Sequence, residues 1–172
     1  MDASTDVTIA PTTPEHIEGF YRALDVVARE RKYLVFLEAP PLDETREFVL
    51  NGLKNHDPHF VALARGEVLG WCDIRRRSRP SLDHRGTLGM GIVPAYRGRG
   101  LGLRLISAAL KQARDTGFVR IELHVRADNF PEVALYGKVG FVTEGVVRGA
   151  VFVDGEYHDT IAMALVHPHH SS

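Results

Sequence analysis

Cysteine is nearly missing from this chain of 172 residues, with Cys72 alone representing it. One thiol excludes an intrachain disulfide framework and any cysteine-built metal cluster. Long apolar runs are missing as well, and no stretch approaches the roughly 18–20 residues of a membrane span. The opening MDASTDVTIAPTTPEH has no basic segment leading into an apolar run. It therefore predicts no secretion signal, a soluble cytoplasmic protein and no membrane partner. Excess charge of either sign is lacking too: the formal net charge is −1, which gives no reason to expect a nucleic-acid partner. What is present is ordinary for a globular domain, 44% hydrophobic and 25% charged residues, at a length that buries a real core. No repeat or low-complexity linker divides the chain. Residues 1–166 read as one domain, and the closing HPHHSS, 167–172, as a disordered tail or cloning remnant.

Periodicity then orders the elements. Val7 to Ala10 is a short strand, and Pro14 leads into an amphipathic helix over Glu15 to Arg31. KYLVFLEAPPL, Lys32 to Leu42, has no clear period and reads as a loop packed by its own apolar residues. Asp43 is expected to cap a second helix with Phe48, Val49 and Leu53 on its inner side. Two strands follow about Arg65-Gly66, a hairpin signal. TLGMGIV makes a strand, a glycine-rich turn opens a helix that Gly117 closes, and FVRIELHV makes another strand. FPEVALYGKV is a short helix, and the last two strands turn about Asp154-Gly155, the strongest hairpin signal in the chain. The strand–helix–strand unit from Thr87 to Val125 is expected to be parallel and right-handed, with antiparallel hairpins flanking it. The fold class is a mixed α/β sheet.

The glycine turn carries the first chemical signal. In VPAYRGRGLGL, Gly98, Gly100 and Gly102 stand at the start of a helix with Arg97 and Arg99 among them. A helix N-terminus offers unpaired N–H groups and positive dipole, so phosphate or pyrophosphate is the natural guest. A P-loop needs Gly-x-x-x-x-Gly-Lys-Ser/Thr, which does not occur here, and the Gly-x-Gly-x-x-Gly spacing of dinucleotide folds is not met. A turn with no ligand stays open on the glycines alone. His56 and His59, flanking Pro58 near Asp57, lack the HExxH spacing, and no metal site is expected.

The cluster is not isolated. Arg97-x-x-Gly100-x-Gly102 after Ile92-Val93-Pro94 resembles the pyrophosphate loop of the GNAT superfamily of N-acetyltransferases. RADNFPEVALYGKVGF, Arg126 to Phe141, resembles that superfamily's second signature, in the fitting order and spacing. The resemblance covers nearly the whole chain outside the histidine tail. It implies a twisted, mostly antiparallel sheet of about seven strands with a central, splayed parallel pair and about four flanking helices. It also implies acetyl-CoA as co-substrate. Backbone groups of Met90, Gly91 and Ile92 would then hold the pantetheine arm, helped by a bulge at Gly89 and Gly91. The loop Arg97, Gly98, Arg99, Gly100, Leu101, Gly102, Leu103 would hold the pyrophosphate. Asn129 would reach the pantetheine, with Lys138 in the same motif, and Tyr136 would protonate the departing thiolate. A phenol of pKa about 10 can supply that proton to a thiol of about 8.5.

Strand alternation places Glu122, His124 and Arg126 on one face. His124 sits where relatives acting on ribosomal-protein N-termini resemble Leu-Glu-Val-Arg with a glutamate base, so a histidine base is one candidate beside a structural histidine or a water chain. Cys72 reads as a small buried strand residue, not as a ping-pong nucleophile, and direct transfer in a ternary complex is expected. For the acceptor, Tyr33, Phe36, Trp71 and Tyr157 could wall an apolar pocket while Glu38, Asp73 or Asp159 pair an ammonium. The sequence thus predicts an acetyl-CoA-dependent transferase acting on a small, amino-acid-like amine. Protein N-terminal acetylation and a non-catalytic CoA-binding domain are the alternatives. A homodimer is the expected assembly.

Overall fold

The computed structural model describes residues 6–167. Seven strands form one sheet: β1 (Thr8–Pro11), β2 (His59–Ala64), β3 (Glu67–Arg76), β4 (Arg85–Ile92), β5 (Arg120–Arg126), β6 (Val142–Val153) and β7 (Glu156–Val166). Four helices accompany them: α1 (Ile17–Arg29), α2 (Leu42–Lys54), α3 (Leu101–Asp115) and α4 (Phe130–Lys138). The strand order is β1-β2-β3-β4-β5-β7-β6, and every pairing is antiparallel except that of β4 with β5. Both predicted hairpin turns form as read. Arg65-Gly66 and Asp154-Gly155 each place two successive residues at positive φ, the backbone that a two-residue turn needs between right-twisted strands.

The sheet separates two apolar layers. Leu105, Ile106 and Ala109 of α3 pack on Cys72, Ile74, Leu88, Met90, Ile121 and Leu123. On the other face Ile17, Phe20, Leu24 and Val27 of α1 pack with Val49 of α2 on Val61 and Trp71. Phe20 meets the Trp71 indole edge-on at 5.5 Å. Alternation along β5 gives each layer its share: Ile121, Leu123 and Val125 are buried against α3, while Glu122, His124 and Arg126 face the α1 side.

Several boundaries differ from the sequence reading. Pro14–His16 is a single 3-10 turn before α1, and Pro41, not Asp43, occupies the N-cap of α2. Asp43 and Glu44 lie in the first turn, where they still complement the helix dipole. The loop after α1 is not packed on itself: Val35 is 77% exposed and Phe36 47%. The expected tail lies outside the described residues except His167, whose N–H donates to Val119 O at 2.7 Å and prolongs the β5–β7 ladder.

The expected bulge at Gly89 and Gly91 is absent. β3 and β4 remain in register from Gly70↔Ile92 to Arg76↔Gly86. The parallel pair separates because β4 and β5 pair only at Arg85↔Arg120, Gly86↔Ile121 and Thr87↔Glu122. Gly91 has a packing reason instead, since a Cβ there would lie 2.4 Å from the Trp71 ring. Gly91→Ala should destabilise the fold by about 1–3 kcal/mol through that overlap, read as a lowered denaturation midpoint; Gly89→Ala, whose Cβ would stand 3.5 Å from Asp73 Oδ2, should be tolerated.

Candidate active site

Beyond Thr87 the central strands part, and the wedge between them opens into a cavity of about 680 Å³ on the α1 side of the sheet. The loop after α1 supplies Tyr33 and Phe36, β3 supplies Trp71, Asp73 and Arg75, β4 supplies Leu88 to Met90, and the β6–β7 hairpin supplies Val151, Val153 and Thr160. His124 enters from β5, and Glu132 and Tyr136 from α4. Apolar walls with a few convergent polar groups are what a small-molecule site requires.

The polar groups have unusual proton affinities. Burial pushes Asp73 up to about 7, against the opposing charge of Arg75. Burial likewise pushes Glu132 up to about 7, opposed by Arg97 and by the Tyr136 hydroxyl. The Tyr136 phenol is driven well above its ordinary range, first by burial and then by the neighbouring Glu132 charge. Glu132 and Tyr136 lie one turn apart on the same face of α4. Glu132 beside the protonated Tyr136 phenol forms a pair that can exchange protons near neutral pH, and Asp73 lines the same cavity from β3.

Asn129 shapes this cluster. It is the N-cap of α4, its Oδ1 accepting from the Glu132 N–H at 3.4 Å and its Nδ2 donating to Glu132 Oε2 at 2.9 Å. Both ends of the amide are therefore engaged within the helix, where the family resemblance assigned it to the pantetheine.

The glycine turn is built as an anion cradle. Gly98 and Gly100 have φ of +73° and +78°, with open space where a Cβ would stand. None of the N–H groups from Gly98 to Leu103 has a hydrogen-bond partner among the described residues. A row of such donors at the start of a fifteen-residue helix fits a phosphate group. The arginines divide. Arg97 pairs with both Glu30 oxygens through its two terminal nitrogens, its Nε donates to Ile92 O at 2.9 Å, and its guanidinium stacks on Tyr33 at 4.6 Å. It ties the end of α1 to the turn and does not project toward the cradle. Arg99 stacks on Tyr96 at 4.9 Å and has no carboxylate partner among the described residues.

Of the residues read from the sequence, the cavity brings together Tyr33, Phe36, Trp71, Asp73, Met90, His124 and Tyr136. Trp71 is 2% exposed and serves the core as much as the wall. Gly91 and Ile92 continue β4 beyond its last rung with β5, with Ile92 O accepting from Arg97 Nε. Four residues lie elsewhere. Glu38 sits on the surface near Arg29, Tyr157 is 74% exposed and packs on Phe152, Asp159 accepts from the Gly149 N–H at 2.9 Å, and Lys138 is exposed at the end of α4. Cys72 is fully buried on the α3 side, its thiol pushed up by burial. Sequence reasoning missed Glu132. Its signal was the Asn129-x-x-Glu132 spacing, a helix-start pattern that also sets the acid one turn before Tyr136.

Comparison with known proteins decides the family: residues 23–141 match the acetyltransferase (GNAT) family. The chain belongs to it. This GNAT chain stands among acetyl-CoA-dependent N-acetyltransferases. It is 35% identical over 116 residues to the N-alpha-acetyltransferase RimI of Mycobacterium tuberculosis, covering 67% of this chain and 69% of that one. It is 33% identical over 108 residues to the L-amino acid N-acetyltransferase AaaT of Escherichia coli, covering 62% and 67%. Against the mycothiol acetyltransferase of Paenarthrobacter aurescens it is 40% identical over 91 residues, 50% of this chain but only 28% of that protein's length. The protein yncA of Salmonella typhimurium, solved with acetyl-CoA, superposes with a TM-score of 0.89 at 18% identity over 96% of both chains, a likeness of fold. Among the described residues no helix is long and apolar enough to cross a membrane.

Proposed function

We propose that this GNAT protein moves the acetyl group of acetyl-CoA directly to the primary amine of a small, amino-acid-like metabolite or antimetabolite, both substrates being bound together. The observation that carries this reading is the wedge cavity, which places Asp73, Glu132 and Tyr136 around one space beside an unpaired strand edge. Acetyl-CoA supplies the activated thioester. The N–H row from Gly98 to Leu103 holds its pyrophosphate, and the free edge of β4 at Met90 to Ile92 holds the pantetheine as a strand would be held. Asp73 receives the acceptor's ammonium, with Tyr33 and Phe36 covering its carbon skeleton. His124, on the same side, is the candidate base that takes the amine's proton. Tyr136 gives its hydroxyl proton to the departing sulfur.

The small acceptor is supported by the cavity's walls, which reach it from the α1–α2 loop, the sheet and the last hairpin, and by the named activity of AaaT. The named activity of RimI makes protein N-termini the competing class. Thiol release from acetyl-CoA should be measured across free amino acids, polyamines, aminoglycosides, amino-acid-like herbicides and peptides with free N-termini. Turnover with the free amino acids or herbicides supports the reading. Turnover with the peptides alone moves the acceptor to protein N-termini, and acetyl-CoA binding with no turnover on any amine moves the chain to a non-catalytic CoA-binding role.

A further inference from the structure

Glu132 has no role in the transfer as drawn above, yet it is the acid most intimately placed against Tyr136. Its position is fixed at the helix cap. Asn129 Nδ2 holds Oε2 at 2.9 Å, and Tyr136 stands one turn along on the same face of the helix, lining the same cavity. The nearby cation, Arg97, is already committed to Glu30 and to Ile92 O, so no salt bridge fixes Glu132 as a carboxylate. Cys72 on β3 shares the apolar layer with Tyr136, its own thiol held protonated by burial. Tyr136 has a corresponding need. It is 4% exposed and packs at 5.8 Å from Phe141, so a tyrosinate left there would be a buried anion with no water shell.

Building on the transfer reading above, we propose that Glu132 is a positioning and proton-supplying residue that acts through Tyr136. As the carbon–sulfur bond breaks, the Tyr136 O–H passes its proton to sulfur and the Glu132 carboxyl passes its own to the tyrosine oxygen. The acceptor's ammonium gives its first proton to His124, and the new carbon–nitrogen bond releases a second, which restores the Glu132 carboxyl through the cavity. Of the two protons that leave nitrogen, one replaces the proton delivered to sulfur and the other passes from His124 to solvent, so no other reactant is needed. The role requires a carboxyl that is protonated in part near neutral pH, in keeping with the upward push that burial gives Glu132.

Glu132→Gln and Glu132→Asp test this in steady-state kinetics, beside Tyr136→Phe and the double variant Glu132→Gln/Tyr136→Phe. Glu132→Gln should lower kcat about 10- to 100-fold with KM for acetyl-CoA within about twofold. Its pH–rate profile should lose the limb that Glu132 supplies, Glu132→Asp should recover part of the loss, and the double variant should be no slower than Tyr136→Phe alone. A second readout needs no turnover: the side-chain carboxyl carbon of Glu132, followed by NMR in the protein without substrates, should titrate above the ordinary glutamate range and move further up in Tyr136→Phe. Wild-type kcat in Glu132→Gln while Tyr136→Phe is impaired would overturn the relay and leave the transfer reading intact. Wild-type kcat in Tyr136→Phe would overturn the acid assignment itself. An ordinary Glu132 titration unmoved by Tyr136→Phe would show that the two groups are not coupled, and the relay would fall. Thermal melts of the variants separate any folding loss from these outcomes.

Discussion

In Tyr136→Phe, turnover should fall about 10²- to 10³-fold while acetyl-CoA binding survives. The substitution is clean because the ring belongs to the core and the hydroxyl to the cavity: Tyr136 is 4% exposed, inside the apolar layer with Phe141, and still lines the wedge. Phenylalanine keeps the volume and the tilted contact with Phe141 and removes only the proton donor. The fold should therefore keep its melting temperature within a few degrees. A departing thiolate without a donor is a poor leaving group at neutral pH, so kcat and kcat/KM should fall together, the mark of an interaction made only in the transition state. Stopped-time thiol assays at saturating acceptor, with calorimetric acetyl-CoA binding alongside, measure both halves. Unchanged turnover would remove Tyr136 from the chemistry and leave it a core residue.

The second large effect concerns stability and lies at the closed end of the wedge. Glu122 on β5 accepts from Arg77 at 2.8 Å, from Arg85 at 2.7 Å and from Arg120 at 2.9 Å, and Arg120 reaches on to Glu144 of β6. Burial alone would raise this carboxyl, but the three guanidinium hydrogen bonds override it and hold it at about 2. Its folded pKa lies below the unfolded value near 4.5. Its contribution is thus fully present above that value and lost as pH falls toward 2. Glu122→Gln should cost on the order of 3 kcal/mol at pH 7, because it leaves three cations facing one another around a neutral amide. The gap between variant and wild type should close as the pH is lowered from about 4.5 to about 2, where wild-type Glu122 is itself protonated. Urea denaturation at a series of pH values reads this directly. A gap that does not change with pH would mean that packing, not charge, sets the cost.

Local chemistry was legible in the sequence and tertiary chemistry was not. The Arg65-Gly66 and Asp154-Gly155 turns could be read because two adjacent residues encode their backbone, and the α3 turn because glycines at 98 and 100 have a local conformational meaning. The alternation that divides Glu122 and His124 from Ile121 and Leu123 is equally local. Arg97 shows the limit: its partner Glu30 lies 67 positions away, and nothing in the glycine turn announces it. Asp73 was one of three carboxylates read as partners for an ammonium, and nothing local separates it from Glu38 and Asp159, which lie outside the cavity. Glu132 went unread, since its burial depends on where α4 docks. Gly91 was read as a bulge because the sequence does not reveal that Trp71 faces it across the strand pair.

The three rungs that join β4 to β5 bear on how the molecule keeps its sheet from sticking to others. A strand edge with unmet amides and carbonyls is an invitation to aggregate when it faces the outside. Here the edges of β4 and β5 beyond Thr87 face inward, between two strands of the same chain. The outer borders are blunted by other means. β1 is four residues long and ends in Pro11, and β6 carries Glu144, Arg148 and two breaks of register against β7. Another protein's strand cannot reach the interior gap, whereas a single extended chain slim enough to enter can. The fold thus keeps a hydrogen-bonding edge permanently available while hiding it from every neighbour too broad to fit.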